Sequence, residues 1–202
     1  MNMLWLRQAA AGLRVLAALT VVLGLGYPLA VLGAGQLLMP GQANGSMVER
    51  DGEPVGSRLI GQPVEDPSYF HGRPSAAGEG YDPLSSGASN LAPTSPELLA
   101  AVEERRAAAA ELNGVPPEAV PPDALTASGS GLDPHISPAY ARLQADRVAR
   151  ERGMDPAAVA ALVEEHVQGR GLGFLGEPAV NVLELNLALD EAAEAAGAGG
   201  AG

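Results

Sequence analysis

From Val15 to Leu38 the chain carries no charged side chain, and Leu, Val, Ala and Gly fill almost every position. About 20 such residues suffice for a helix to cross the hydrocarbon core of a bilayer, so 15–38 is expected to be a transmembrane helix. Pro28 is tolerable inside it, because neighbouring helices or water can satisfy the freed carbonyl. Gly24, Gly26, Gly33 and Gly35 either offer flat surface to another membrane helix or simply reflect a glycine-rich composition. Beyond the run, the pattern breaks into short pieces. Met47–Arg50 and Pro54–Ile60 flank Asp51-Gly52, a dipeptide suited to the positive φ angles of a tight hairpin turn. Residues 63–94 are rich in Pro, Gly, Ser and Asn and show no periodicity. In a compact domain, a loop of that length is usually functional rather than a passive connector.

Three helices are then predicted, and each begins with the same grammar. Ser95-Pro96, Ser137-Pro138 and Asp155-Pro156 put a capping oxygen before a proline, which supplies the helical φ and lacks an amide that would be orphaned there. The first helix runs to about Leu112, stops at Asn113-Gly114 and is expected to bury Leu98, Leu99, Val102, Ala109 and Leu112. The second buries Tyr140, Leu143 and Val148 and ends at Gly153; the third buries Val159, Leu162, Val163 and Val167 and stops near Gly169. Between the first two, Val115–Asp123 is proline-rich and extended. Leu183–Asp190 alternates apolar with mostly polar or small residues, which argues for a strand with a buried leucine face. A helix starting near Leu185 and running into Glu191–Ala196 is the competing reading. The fold class is α+β: one N-terminal transmembrane helix, then one domain of a small sheet with about three helices.

Charge orients the anchor. Arg7 and Arg14 precede the apolar run, and no acidic residue appears before Glu49. Basic residues on that flank keep it in the cytoplasm and send the rest across. A cleaved signal peptide fits less well: its apolar core is usually only about 7–15 residues, and Leu32-Gly33-Ala34 gives one good cleavage position. The chain therefore divides into a cytoplasmic N-terminus (1–14), a membrane helix in the lipid bilayer (15–38), an extracytoplasmic domain (39–191) and a disordered tail (192–202). The formal charge of −12 splits into +2 on the anchor segment and −14 beyond it. Such a domain repels nucleic acid and anionic headgroups. No cysteine is present, which excludes thiol chemistry and disulfides, and aromatics at 3% leave little for base or sugar stacking.

Catalytic motifs are weak. Ser128-Gly129-Ser130-Gly131 with Asp133 and His135 invites a serine-nucleophile reading, but a hydrolase serine sits on a strand-to-helix elbow with its base distant in sequence. His71, His135 and His166 lack paired metal-ligand spacing. Leu84–Asn90 is superficially similar to the signature loop of ATP-binding cassette proteins, yet no phosphate-binding G-x-x-x-x-G-K-[ST] loop and no lysine exist. The segments 84–90, 128–137 and 181–186 instead carry Ser, Asn and Gly where a generic domain carries charge. That composition fits a docking surface that reads protein backbone, or an ordinary loop-rich fold.

Longer runs are specific. Gly56–Gln62 is followed by Tyr69–Ala77, Tyr81-Asp82-Pro83, Ser89-Asn90-Leu91 and Ala127–Pro138, then by Gln144, Arg147-Val148-Ala149 and Asn181–Asp190. Together, and in this order over the whole chain, they resemble the C subunit of Kdp-type potassium-transporting ATPases. Ala88 stands where the family usually has a second Gly, and Ala179 where an Arg is usual, so no charge contact is carried over to 179. The resemblance implies a bitopic, non-catalytic accessory subunit with no cofactor of its own, partnered with a channel-like potassium-binding subunit and an ATP-hydrolysing P-type subunit. It also carries the family's proposed link to nucleotide affinity; the topology makes direct ATP contact by this chain hard to credit and favours a conformational effect. Ser85, Ser89, Asn90, Ser128, Ser130, Gly131, Asp133, His135, Ser137, Gln144, Arg147, Asn181 and Asn186 are the candidate interface or structural residues. A free-standing membrane-anchored adaptor or ligand-binding protein is the alternative.

Overall fold

The computed structural model describes residues 2–199 and resolves into two compact units, Met1–Met47 and Val48–Gly202. The first is almost wholly helical: α1 (Asn2–Val21), a π-helical turn (Val22–Gly26), α2 (Tyr27–Leu38) and the short α3 (Pro40–Ala43). Met3–Leu38 is long and apolar enough to cross a membrane, with a mean hydropathy of 2.3, and its side chains are exposed throughout. The helix thus begins well before Val15 and takes in the stretch expected as a cytoplasmic terminus. The π turn lies just before Pro28, whose ring would otherwise meet the carbonyl of Gly24; widening the helix relieves that crowding.

The second unit opens with a hairpin of β1 (Met47–Arg50) and β2 (Glu53–Ser57). Asp51 and Gly52 have φ of 54° and 82°, the positive pair the turn requires. β2 is shorter than the apolar run implied: Leu59 and Ile60 fall in a turn and are exposed. No helix or strand forms again until α4 (Pro96–Asn113), followed by two 3₁₀ turns over the proline-rich segment. α5 (Pro138–Arg152) and α6 (Pro156–Glu165) come next, and the Ser95, Ser137 and Asp155 side chains all cap as read from the sequence. Gly114 and Gly153 end their helices in the left-handed conformation.

A three-stranded antiparallel sheet runs β3 (His135–Ile136), β5 (Ala179–Asn181), β4 (Val167–Gln168), with His135 opposite Asn181 and Val167 opposite Val180. The strand expected over 183–190 is absent. After three residues of β5 the chain turns into α7 (Val182–Gly199), started by the Asn181 Oδ1, which accepts from the Glu184 amide at 3.2 Å. Leu185 and Leu189 are fully buried four residues apart, so the leucine alternation marks a wide apolar helix face. α7 also takes in most of the tail expected to be disordered, whose last residues, 200–202, lie outside the described residues. Val167 is in β4 rather than on α6, and Leu99 and Leu112 of α4 face solvent where burial was expected. α4 is mostly Ala and Glu: Ala110 and Asn113 are buried, and Val102 and Ala109 pack partly buried against the core. The core joins Phe70, Ile136, Val148, Val159, Val163, Val180, Leu185 and Leu189, with α5 central between α4, α6 and β5.

Candidate docking site

The segment Pro67–His71 leaves a turn closed by the Tyr69 amide on the Asp66 carbonyl (3.1 Å) and carries Phe70 into the core without a neighbouring strand, and side chains supply the hydrogen bonds a sheet would have given. Asn186 on α7 accepts from the Phe70 amide (2.8 Å) and donates to its carbonyl (2.9 Å). Gln144 on α5 does the same for His71, at 2.8 and 3.1 Å. Arg147, one turn further on and almost fully buried, donates to the carbonyls of Pro67 and Tyr69, to Asn113 Oδ1 (2.9 Å) and to Gln144 Oε1 (2.8 Å). Arg152 takes the Ser68 carbonyl and lies 4.3 Å over the Tyr69 ring. Burial draws the Arg147 guanidinium down from its ordinary value, and it drives the His71 imidazole down toward the neutral form. His71 Nε2–H then donates to the Asp66 carbonyl at 3.0 Å.

A second node lies under the Ser-Gly run. Gly131 has a φ of 68°, and a Cβ there would sit 2.6 Å from the Ala77 nitrogen and 2.7 Å from the Gly87 oxygen, so three loop backbones meet at one point only because the position is glycine. Ser75 Oγ donates to the Gly131 carbonyl (2.7 Å) and accepts from the amides of Ala77 and Tyr81. The Ser130 carbonyl receives the Gly87 amide and the Ser86 hydroxyl. Beside this node, Asp133 accepts from Arg73 (3.1 Å) and from the His135 amide (3.0 Å), and the His135 side chain with these donors holds its carboxyl below the usual range. Ser137 both caps α5 and donates to Asp123 (2.8 Å), while Tyr140, buried below, has its phenol pushed up to about 12.

The candidate residues therefore separate into two sets. Gln144, Arg147, Asn181, Asn186, Ser128 and Gly131 are buried and hold the long loop in place. Ser85, Ser89, Asn90 and Ser130 are exposed, and Asp133, His135 and Ser137 are half-buried at the edge of the same loop cluster. Asn90 adopts a φ of 53°. The serine-nucleophile reading finds no geometry: Ser128 Oγ accepts from the Gly131 amide, and His135 Nδ1 faces Asp133 at 3.4 Å rather than a serine. Among the described residues no group of three His, Cys, Asp or Glu is placed to hold a metal ion.

Sequence reasoning missed Asn113, Ser75, Asp123, Arg73 and Asp190 as working residues. Asn113 was visible only as a helix stop, yet its side chain anchors Arg147. Asp190 collects Arg50, Arg152 and the Tyr69 hydroxyl (2.7, 2.7 and 3.2 Å), tying the hairpin, α5 and the loop to α7. Its signal would have been an acidic residue one helical turn after Asn186, beside the Leu185 and Leu189 stripe, which the strand reading concealed.

Comparison with known proteins adds a relationship. A family model described as the c chain of the K⁺-transporting ATPase, KdpC, matches residues 9–191. A potassium-transporting ATPase KdpC subunit of Kineococcus radiotolerans is 63% identical over 188 residues, 93% of this chain and 95% of its own length. The proteins of the same name from Mycobacterium tuberculosis and Rhodospirillum rubrum are each 55% identical, over 91% and 92% of this chain and 98% and 96% of their own.

Proposed function

This chain belongs to the KdpC family of K⁺-transporting ATPase c chains and is a subunit of a potassium-transporting complex; on that premise we propose that it stabilises the complex and supports its activity by docking. The observation that carries the reading is the loop 58–94. It has no helix or strand, yet buried Gln144, Arg147 and Asn186 hold its backbone at fixed positions. A loop fixed in advance presents a surface that loses little entropy on binding, which is what a docking face needs. The exposed Ser85, Ser89 and Asn90 and the Ser128–Ser137 edge form that face.

The partners are a channel-like potassium-binding subunit and a P-type subunit that hydrolyses ATP, as the family resemblance implies. Arg7 and Arg14 keep the N-terminal flank cytoplasmic and the domain outside. ATP is then scarce where the domain lies, and the chain lacks a phosphate-binding loop. Any influence on nucleotide affinity runs through conformation of the assembly.

The test is co-expression of the tagged chain with its pump subunits, extraction in mild detergent and assay of K⁺-stimulated ATPase activity with and without it. Co-purification with activity lost on omission is the expected result, and the Asn90→Ala and Asp133→Ala variants should lower the recovered complex. A pump that assembles and works fully without the chain overturns the reading in favour of a free-standing adaptor.

A further inference from the structure

The β4–β5 connection is built differently from the rest of the domain. Gly171 and Leu175 close an antiparallel bridge, with both amide-to-carbonyl distances at 2.8 Å, and Arg170 pairs with Glu177 at 2.7 Å across the neck. The tip projects Leu172, Phe174 and Leu175, which are 84%, 70% and 53% exposed. Of the chain's two phenylalanines, Phe70 is fully buried at the centre of the core and Phe174 stands in solvent. Leu172 is held at a φ of 53°, a conformation that bulky L-residues seldom adopt. A conformation that is strained and apolar on the outside, inside a closed bridge, points to a use for the exposed side chains.

We propose that the 171–175 tip is an apolar anchor that inserts into a pocket on another protein subunit of the same potassium-transporting complex. The inference rests on the docking reading above and extends it. Two observations select a protein occupant. The neck is continuous with the proposed face: Glu177, Pro178 and Ala179 line one cleft with Asp133, His135 and Ser137. The tip also lacks the cationic flank that an anionic lipid surface would need, since Arg170 is already paired and residues from Met39 onward carry −14. Phe174, an aromatic presented on a closed turn, is the kind of side chain enriched at the buried centre of protein interfaces.

The test uses the full complex with p-benzoylphenylalanine in place of Phe174, alongside the double variant Leu172→Ser, Phe174→Ser. On irradiation the probe should crosslink to a pump subunit. The double variant should weaken retention of the chain in the complex by roughly tenfold or more. Thermal unfolding of the chain itself should be unchanged, because the replaced side chains lie in solvent. Crosslinks only to lipid, or retention equal to the wild type, overturn the proposal. Failure of the wild-type chain to co-purify is the separate result that removes the docking reading beneath it.

Discussion

At the scale of single residues, Arg147 does the most to define the domain. Its guanidinium fork meets four acceptors, two of them carbonyls in a segment more than 70 residues earlier in the chain. Burying a cation without a carboxylate is costly, and here several carbonyl and amide oxygens replace the lost water. Arg147→Met keeps the bulk but removes the donor from Asn113 Oδ1 and from the Pro67 and Tyr69 carbonyls, while Gln144 Oε1 keeps only the His71 amide. The expected loss is on the order of 3 kcal/mol in urea unfolding of the full chain in detergent. Arg147→Lys should recover only part of it, since one ammonium cannot span the same set of acceptors; full recovery by lysine would refute the fork argument. Part of this was legible in advance. Gln144 and Arg147 stand on the buried side of a helix with Tyr140 and Val148, where polar residues are out of place. Their targets were not legible, because a backbone carbonyl in an aperiodic loop leaves no mark in the sequence.

Among elements, those with strong termini were readable and those defined by partners were not. Ser-Pro and Asp-Pro starts and glycine stops act within one turn, so the ends of α4 and α5 and the start of α6 follow from local chemistry. The two- and three-residue strands β3, β4 and β5 exist only because their partners lie alongside. α7 was misread because Leu-x-Leu alternation satisfies a strand period and also fills a broad helix face. Ser137 shows how a terminus can serve two elements, since its hydroxyl accepts from the Tyr140 amide at 3.0 Å while donating to Asp123 at 2.8 Å. Ser137→Ala should cost about 1 kcal/mol for the cap, plus a further contribution for the weakened Asp123 contact. Amide exchange at Tyr140 should accelerate in the variant, while Ala157 at the start of α6, capped independently by Asp155 at 3.0 Å, stays unchanged. Equal acceleration at both helices would mean global destabilisation rather than loss of a cap.

For the whole molecule, the long apolar N-terminal helix and the α+β class were within reach of the sequence. The interior that organises the loop was not, and it also sets how stability depends on pH. Burial lowers the folded pKa of His71, and its neighbours lower that of Asp133. For both groups the unfolded chain binds more protons over the affected range, so stability rises with pH there. The His71 contribution is complete above about pH 6.5 and disappears as pH falls through the lower folded value; that of Asp133 is complete above about 3.9 and disappears below it. Tyr140 acts with the opposite sign: its contribution is present below pH about 10 and is lost as pH rises toward its folded value of about 12. The melting temperature of the full chain in detergent should therefore form a plateau near neutrality, with an acid limb that begins below about pH 6.5. His71→Gln keeps a donor for the Asp66 carbonyl at 3.0 Å but cannot titrate, so it should flatten the first part of that limb and leave the steeper fall below pH 4 in place. An acid limb of identical shape in the variant would remove His71 from the account and move the loss of stability to the carboxylates alone.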